Sequence, residues 1–162
     1  MFRPMRRSKQ QLTREECDQV LNACMRGVMA FLGDDDYPYA VPLDYAYDVA
    51  AGKLYFHGAR EGHKVAAMRA HDKASFCVMD EGCRVEGKFG LNIRSVICFG
   101  RLRQVEPGEA TIAAVRKLGM RYLGSVYPTE EDVEREIASA GKRVFCSELD
   151  IEHMTGKLVN ES

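Results

Sequence analysis

The chain has 162 residues, 46% of them hydrophobic and 29% charged, with a formal net charge of −1. That length suits one domain with a real core, taken as residues 1–162, and the charge balance gives no global attraction to nucleic acid. No apolar run approaches the ~20 residues that cross a bilayer. The six cysteines include no Cys-x-x-Cys pair, so the expectation is a reduced, cytoplasmic protein without a structural metal, away from membranes and nucleic acid.

Along the chain, Arg3, Arg6, Arg7 and Lys9 form a basic cluster, read as a solvated tail with an anion site as the alternative. Residues 12–24 have helical spacing, with Thr13 as cap and Glu16 completing a capping box. Residues 28–32 are a short apolar strand, and Gly33-Asp-Asp-Asp36 is a solvated turn rather than a calcium loop, whose ligand pattern it lacks. Residues 39–48 alternate, with Val41, Leu43, Tyr45 and Tyr47 on one face, which predicts a strand. Pro42 inside it cannot donate to a ladder, so it marks an edge, a bulge or an interruption. Residues 49–53 turn the chain into a strand ending with Leu54, Tyr55 and Phe56.

Residues 57–62 then form a glycine-bearing turn and residues 63–71 a short helix. Residues 74–79 and 93–105 read as strands, with a polar connection over 80–92 that has no assigned conformation in its middle. Helices are expected over 107–123 and from Pro128-Thr129 to about residue 140, stopped by Gly141, with a last strand over 144–151. Strands dominate and helices sit between them, which favours a mainly β, antiparallel barrel with peripheral helices over a doubly wound sheet. Neither a Gly-x-Gly-x-x-Gly fingerprint nor a Walker-type loop is present.

The turn before the 63–71 helix carries the most chemistry. Two glycines, Gly58 and Gly62, let its backbone approach a ligand closely, and the helix starts beside His63 and Lys64. Free N–H groups at a helix start, reinforced by lysine, suit a phosphate. An ordinary strand-turn-helix with solvated charges is the competing reading of the same residues. His63 and His71 lie eight residues apart and His153 is distant in sequence, which argues against joint metal chelation.

Three blocks in this order, Tyr39-Ala-Val-Pro-Leu43, Leu54-Tyr-Phe-His-Gly-Ala59 with Gly62 and Lys64, and Arg94-Ser-Val-Ile-Cys-Phe-Gly100, resemble the pyridoxamine 5′-phosphate oxidase-like flavin-binding family. Within it the chain is most similar to the 5-nitroimidazole antibiotic resistance (Nim) branch, over roughly residues 5–157. The resemblance implies a split β-barrel homodimer with FMN at the subunit interface. It places Val41, Pro42 and Leu43 beside the flavin ring, and Phe56, His57, Gly58 and Ala59 along the ring and ribityl chain. His63 and Lys64 fall where the family usually has Arg-Lys for the FMN phosphate. Histidine is only partly charged at pH 7, so this departure weakens phosphate binding and makes it pH-dependent. Arg94 and Ser95 are expected to reach the flavin from the partner subunit.

The implied activity is an FMN-dependent oxidoreductase that reduces an electron-poor small molecule such as a nitroheteroaromatic, with a nicotinamide as donor. His57 is the catalytic candidate, as a proton donor near the acceptor, against a purely structural role in the turn. Pyridoxamine phosphate oxidation itself is disfavoured, because Asp150-Ile-Glu-His-Met-Thr-Gly-Lys157 lacks the arginine set that grips a substrate phosphate. The rivals are a non-enzymatic flavin or haem binder, with His57 or His153 as haem ligand, and an interaction module without flavin.

Overall fold

The computed structural model describes residues 1–87, 90–140 and 144–160. The expected helix stop at Gly141 and part of the 80–92 connection lie outside them. Among the described residues, one eight-stranded antiparallel sheet, in the order β2-β1-β5-β7-β8-β4-β3 with β6 added to β7, curls into a split barrel flanked by four α-helices.

Helix α1 (Arg14–Ala23) starts where the capping residues predict. The Glu16 N–H donates to Thr13 Oγ1 at 3.2 Å and the Thr13 N–H to Glu16 Oε2 at 2.7 Å, an arrangement worth about 1 kcal/mol. Its apolar stripe, Cys17, Val20 and Leu21, is buried in the core. Strands β1 (Arg26–Leu32) and β2 (Pro38–Asp44) form a hairpin in which Asp35 and Asp36 take positive φ, a conformation aspartate tolerates in turns. β2 is a terminal strand of the sheet, so Pro42 sits on an edge strand, where its missing N–H is tolerated.

The sequence predicts one strand over 39–48; the structure breaks it at Tyr45. Before that residue β2 pairs with β1, and after it β3 (Ala46–Asp48) pairs with β4 (Lys53–Gly58). The predicted inward face survives the break, since Val41, Leu43, Tyr45 and Tyr47 all pack on the core. Tyr45 is fully buried; its hydroxyl donates to the Leu21 carbonyl at 2.6 Å and its ring meets Phe76 edge-on at 4.9 Å. Satisfying that hydroxyl on α1 ties the turning point of the chain to the core.

The β3–β4 ladder ends at Ala46↔Tyr55, while β4 continues through Phe56, His57 and Gly58, paired among the described residues with β8 alone. No ladder joins β2 to this end of β4 among the described residues, and that unpaired seam is the split in the barrel. Helix α2 (His63–Ala70) follows, then β5 (Lys73–Met79), β6 (Cys83–Arg84) and β7 (Leu91–Gln104). Helix α3 (Glu109–Met120) packs on β4, and α4 (Glu130–Ala140) packs on α3, joined to it by the Arg116–Glu134 pair with contacts of 2.5 and 2.9 Å.

Strand β8 (Phe145–Val159) runs well past the predicted residue 151. Its second half pairs with β7, and Gly156 there lets α1 lie close, since a Cβ would collide with the Cys17 sulfur. Among the described residues no helix is long and apolar enough to cross a membrane.

Candidate functional site

Helix α2 begins at Gly62, whose φ of 125° disfavours any other residue, and no side chain caps it. The N–H groups of Val65 and Ala66 both turn back to the Gly62 carbonyl at 3.0 Å. Lys64, in the first turn, is half-buried and makes no hydrogen bond or ion pair among the described residues. Burial pushes its ammonium pKa below the usual lysine value. The ammonium nitrogen lies 2.8 Å from where a Gly58 Cβ would stand, so glycine at 58 leaves the space that Lys64 fills.

His63 stacks on Tyr39, with ring centroids 4.0 Å apart and planes 16° apart. Its Nε2 lies 3.7 Å from an Asp34 carboxylate that is 90% exposed, a pairing water largely screens. The start of α2 therefore touches both lips of the split, through Tyr39 on β2 and Gly58 on β4. The structure brings together Gly58, His63 and Lys64 as the sequence suggests and adds Tyr39. That tyrosine opens the first family-like block, but nothing in its spacing singles it out as the partner of His63.

The remaining candidates divide by strand parity. Val41 and Leu43 point inward and are half-buried, whereas Pro42 is exposed on the outer face, opposite Val28 in the ladder. Phe56 is 1% exposed and meets Phe76 edge-on at 5.1 Å, so its side chain belongs to the core and only its backbone lies along the split. Gly58 is partly exposed and Ala59 exposed, where the chain leaves β4 for α2.

His57 projects from the opposite face of β4, into a cavity of about 360 Å³ beneath α3 and α4. Val115, Leu118, Val133 and Ile137 line its apolar side, and the largely exposed Arg26 with Asp44, joined at 2.8 Å, stands at its edge. The Tyr122 hydroxyl is buried there beside the Asp44 carboxylate. Burial, and next the Asp44 carboxylate it faces, raise its pKa. The sequence gives little sign of this cavity, because its walls come from helices that read as ordinary amphipathic packing.

Arg94 and Ser95 lie elsewhere. Ser95 pairs with Met79, the last residue of β5, while α2 leads into the other end of that strand at Lys73. Six strand steps of about 3.3 Å put roughly 20 Å between those ends. Arg94 Nε binds Asp80 Oδ2 at 2.8 Å and its N–H binds Asp80 Oδ1 at 2.8 Å. Burial alone would raise the Asp80 pKa, but these bonds outweigh it and hold the carboxyl below its usual value.

The outer face of the sheet carries an apolar row in ladder register: Pro42, Val28, Cys77 and Ile97. Val28 is 42% exposed and Met79, at the end of β5, 64%. His153 is on the same face, its ring stacked under Phe2 at 4.5 Å. Among the described residues no three His, Cys, Asp or Glu side chains gather as a metal site.

Comparison with known proteins agrees with this architecture. No curated protein matches the sequence. A candidate 5-nitroimidazole antibiotic resistance protein from Bacteroides thetaiotaomicron superposes with a TM-score of 0.75 at 16% identity, over 91% of this chain and 86% of that one. An FAD-binding protein from Mesorhizobium loti gives 0.64 at 26% identity, over 93% and 98%. The FAD and heme binding protein from Mycobacterium smegmatis gives 0.70 at 18% identity, over 94% and 74%. The family model for pyridoxamine 5′-phosphate oxidase matches residues 13–158, nearly the whole chain. With its split barrel and the order of its sequence blocks, the chain belongs to the pyridoxamine 5′-phosphate oxidase family.

Proposed function

We propose that the protein is an FMN-dependent oxidoreductase of nitroreductase type, acting as a homodimer on an electron-poor small molecule. The observation that carries this reading is Lys64: a half-buried cation without a partner among the described residues, at a helix start no side chain caps and against the open side of Gly58. An unpaired buried charge costs stability unless a ligand compensates it. A phosphate monoester does so, accepting from the ammonium and from the first N–H groups of α2. Family membership and the flavin-binding structural neighbours support a flavin as the bearer of that phosphate.

In this reading Lys64 and the start of α2 hold the phosphate, and His63, kept in place by Tyr39, adds charge when protonated. Val41, Pro42, Leu43, Gly58 and Ala59 border the split in which the ring system would lie. Bound FMN supplies two-electron redox chemistry, with a nicotinamide as the donor class. His57, on the face of β4 that looks toward α3 and α4, would give a proton to an acceptor bound there.

Two features support the dimer in this reading. The exposed row of Val28, Cys77 and Ile97 is an apolar face of the kind subunits bury. Arg94 and Ser95, at the far end of β5, would reach a flavin at α2 only from a second copy. Asp80 fixes the Arg94 Nε and leaves the two terminal nitrogens of the guanidinium for that contact. Haem at His153 finds little support, since Phe2 covers the ring.

The test is an absorbance spectrum of the purified protein, chromatography of the flavin released by heat, and a sedimentation measurement. A flavin near one per subunit, released as FMN from a dimer, supports the reading. Released FAD would keep the oxidoreductase and change the cofactor. A colourless monomer that fails to take up added FMN would overturn it.

A further inference from the structure

The lysines of the chain differ in what compensates their charge. Lys53 gives its ammonium to Glu148 at 2.9 Å, and Lys117 gives its own to Asp48 at 2.6 Å. Lys9 and Lys73 are exposed, where water solvates the charge. Lys64 has neither a carboxylate nor full hydration. It is half-buried, makes no hydrogen bond or ion pair among the described residues, and desolvation is what acts on its ammonium. Asp34, an acid at this lip of the split, faces His63 instead, at 3.7 Å.

Desolvation favours the neutral amine, and a neutral amine carries the lone pair that an ammonium lacks. The surroundings also leave that nitrogen within reach. It lies 2.8 Å from where a Gly58 Cβ would stand, so no side chain of residue 58 covers it. Gly58 is partly exposed and Ala59, where the chain leaves β4, is exposed, which opens a path from solvent. Half-burial limits that path to small molecules.

We propose that Lys64 is a covalent site for small aldehydes in the flavin-free protein, its amine condensing with the carbonyl carbon to an imine. The step balances without an oxidant or a reductant. The nitrogen lone pair bonds to the carbonyl carbon, both amine protons end on the oxygen, and that oxygen leaves as water. Condensation stands on the surroundings of Lys64 alone; its exclusion by bound flavin rests on the proposed role of Lys64 at the phosphate.

The experiment treats the purified full chain, dialysed free of flavin, with propanal and cyanoborohydride near neutral pH. Cyanoborohydride reduces the imine and fixes it as a propylamine, and peptide mass spectrometry follows each lysine with time. Free-amine fraction changes tenfold per unit of pKa, so the expected result is Lys64 modified at least about fivefold faster than Lys53, Lys73 or Lys117. Lys64→Arg should lose the fast-labelling lysine and leave the other three rates as they are. Labelling of Lys64 no faster than that of Lys53 or Lys117 would overturn the proposal. The same reaction is then run with FMN added to saturation, which should slow Lys64 alone. Fast labelling that FMN leaves unchanged keeps the aldehyde site and defeats the phosphate role; FMN that binds a chain whose Lys64 labels slowly without it does the reverse.

Discussion

Two cations of the same chain, Lys64 and Arg94, stand in opposite situations. Lys64 is half-buried, unpartnered among the described residues, and destabilised in its charged form by burial. Arg94 is more open, with 39% of its side chain exposed, yet it is committed to Asp80 through both its guanidinium and its main-chain N–H. Sequence resemblance assigns both to a flavin. The structure distinguishes what each can contribute: an uncompensated charge gives affinity for an anion, and a compensated one gives position.

That difference can be broken or sharpened by substitution. The largest expected effect is on Lys64→Ala, which removes the cation proposed to hold the phosphate. A loss of about 1.5–3 kcal/mol corresponds to flavin affinity weaker by roughly 10- to 100-fold, measured by titration. Next, His57→Ala should keep the flavin and lower acceptor turnover by at least about tenfold, read as kcat in a nitroreductase assay. Unchanged turnover would return His57 to a structural role. Gly58→Val places a side chain where the Lys64 ammonium now lies, and should weaken flavin by about tenfold while the protein still folds.

Smaller effects separate the two cations further. Arg94→Ala should cost about 1 kcal/mol of stability, given its exposure, and change flavin affinity only a few-fold. Asp80 is depressed below its usual 3.8 in the folded protein, so its stabilising share is present above that pH and lost as the pH falls through the lower folded value. The variant should show a shallower acid loss in denaturant titrations. Lys64 has the opposite sign. Its folded pKa lies below 10.5, so its charge opposes folding at neutral pH, and that penalty is relieved as the pH rises from the folded value through 10.5. Lys64→Met should therefore raise the melting temperature of the flavin-free protein slightly and flatten its rise in stability on the alkaline side.

Much of the barrel was legible because local signals agreed with the fold. Thr13 and Glu16 start α1, alternation from Val41 to Tyr47 gives the inward face, and Gly62 with Lys64 announces α2. What stayed hidden depended on partners distant in sequence. Period two continues unbroken through Tyr45, so nothing local shows that the strand changes neighbours there. The second half of β8 does not read as a strand because polar residues interrupt Ile151, Met154 and Leu158, which do pack on the core, and Gly156 replaces a side chain with space for α1. Phe56 and His57 are adjacent letters in one motif, and only the pleat sends one into the core and the other under α3. Asp80 as the partner of Arg94 was equally out of reach, since it lies in a connection whose course the sequence does not specify.

The most direct test of the contrast is a parallel FMN titration, followed by flavin fluorescence, of the flavin-free wild type, Lys64→Ala and Arg94→Ala. The account predicts affinity lost by roughly 10- to 100-fold for Lys64→Ala, with its melting temperature not lowered, and a change of only a few-fold for Arg94→Ala. Equal affinities for wild type and Lys64→Ala, or a larger loss for Arg94→Ala, would contradict the assignment of Lys64 as the phosphate-binding cation.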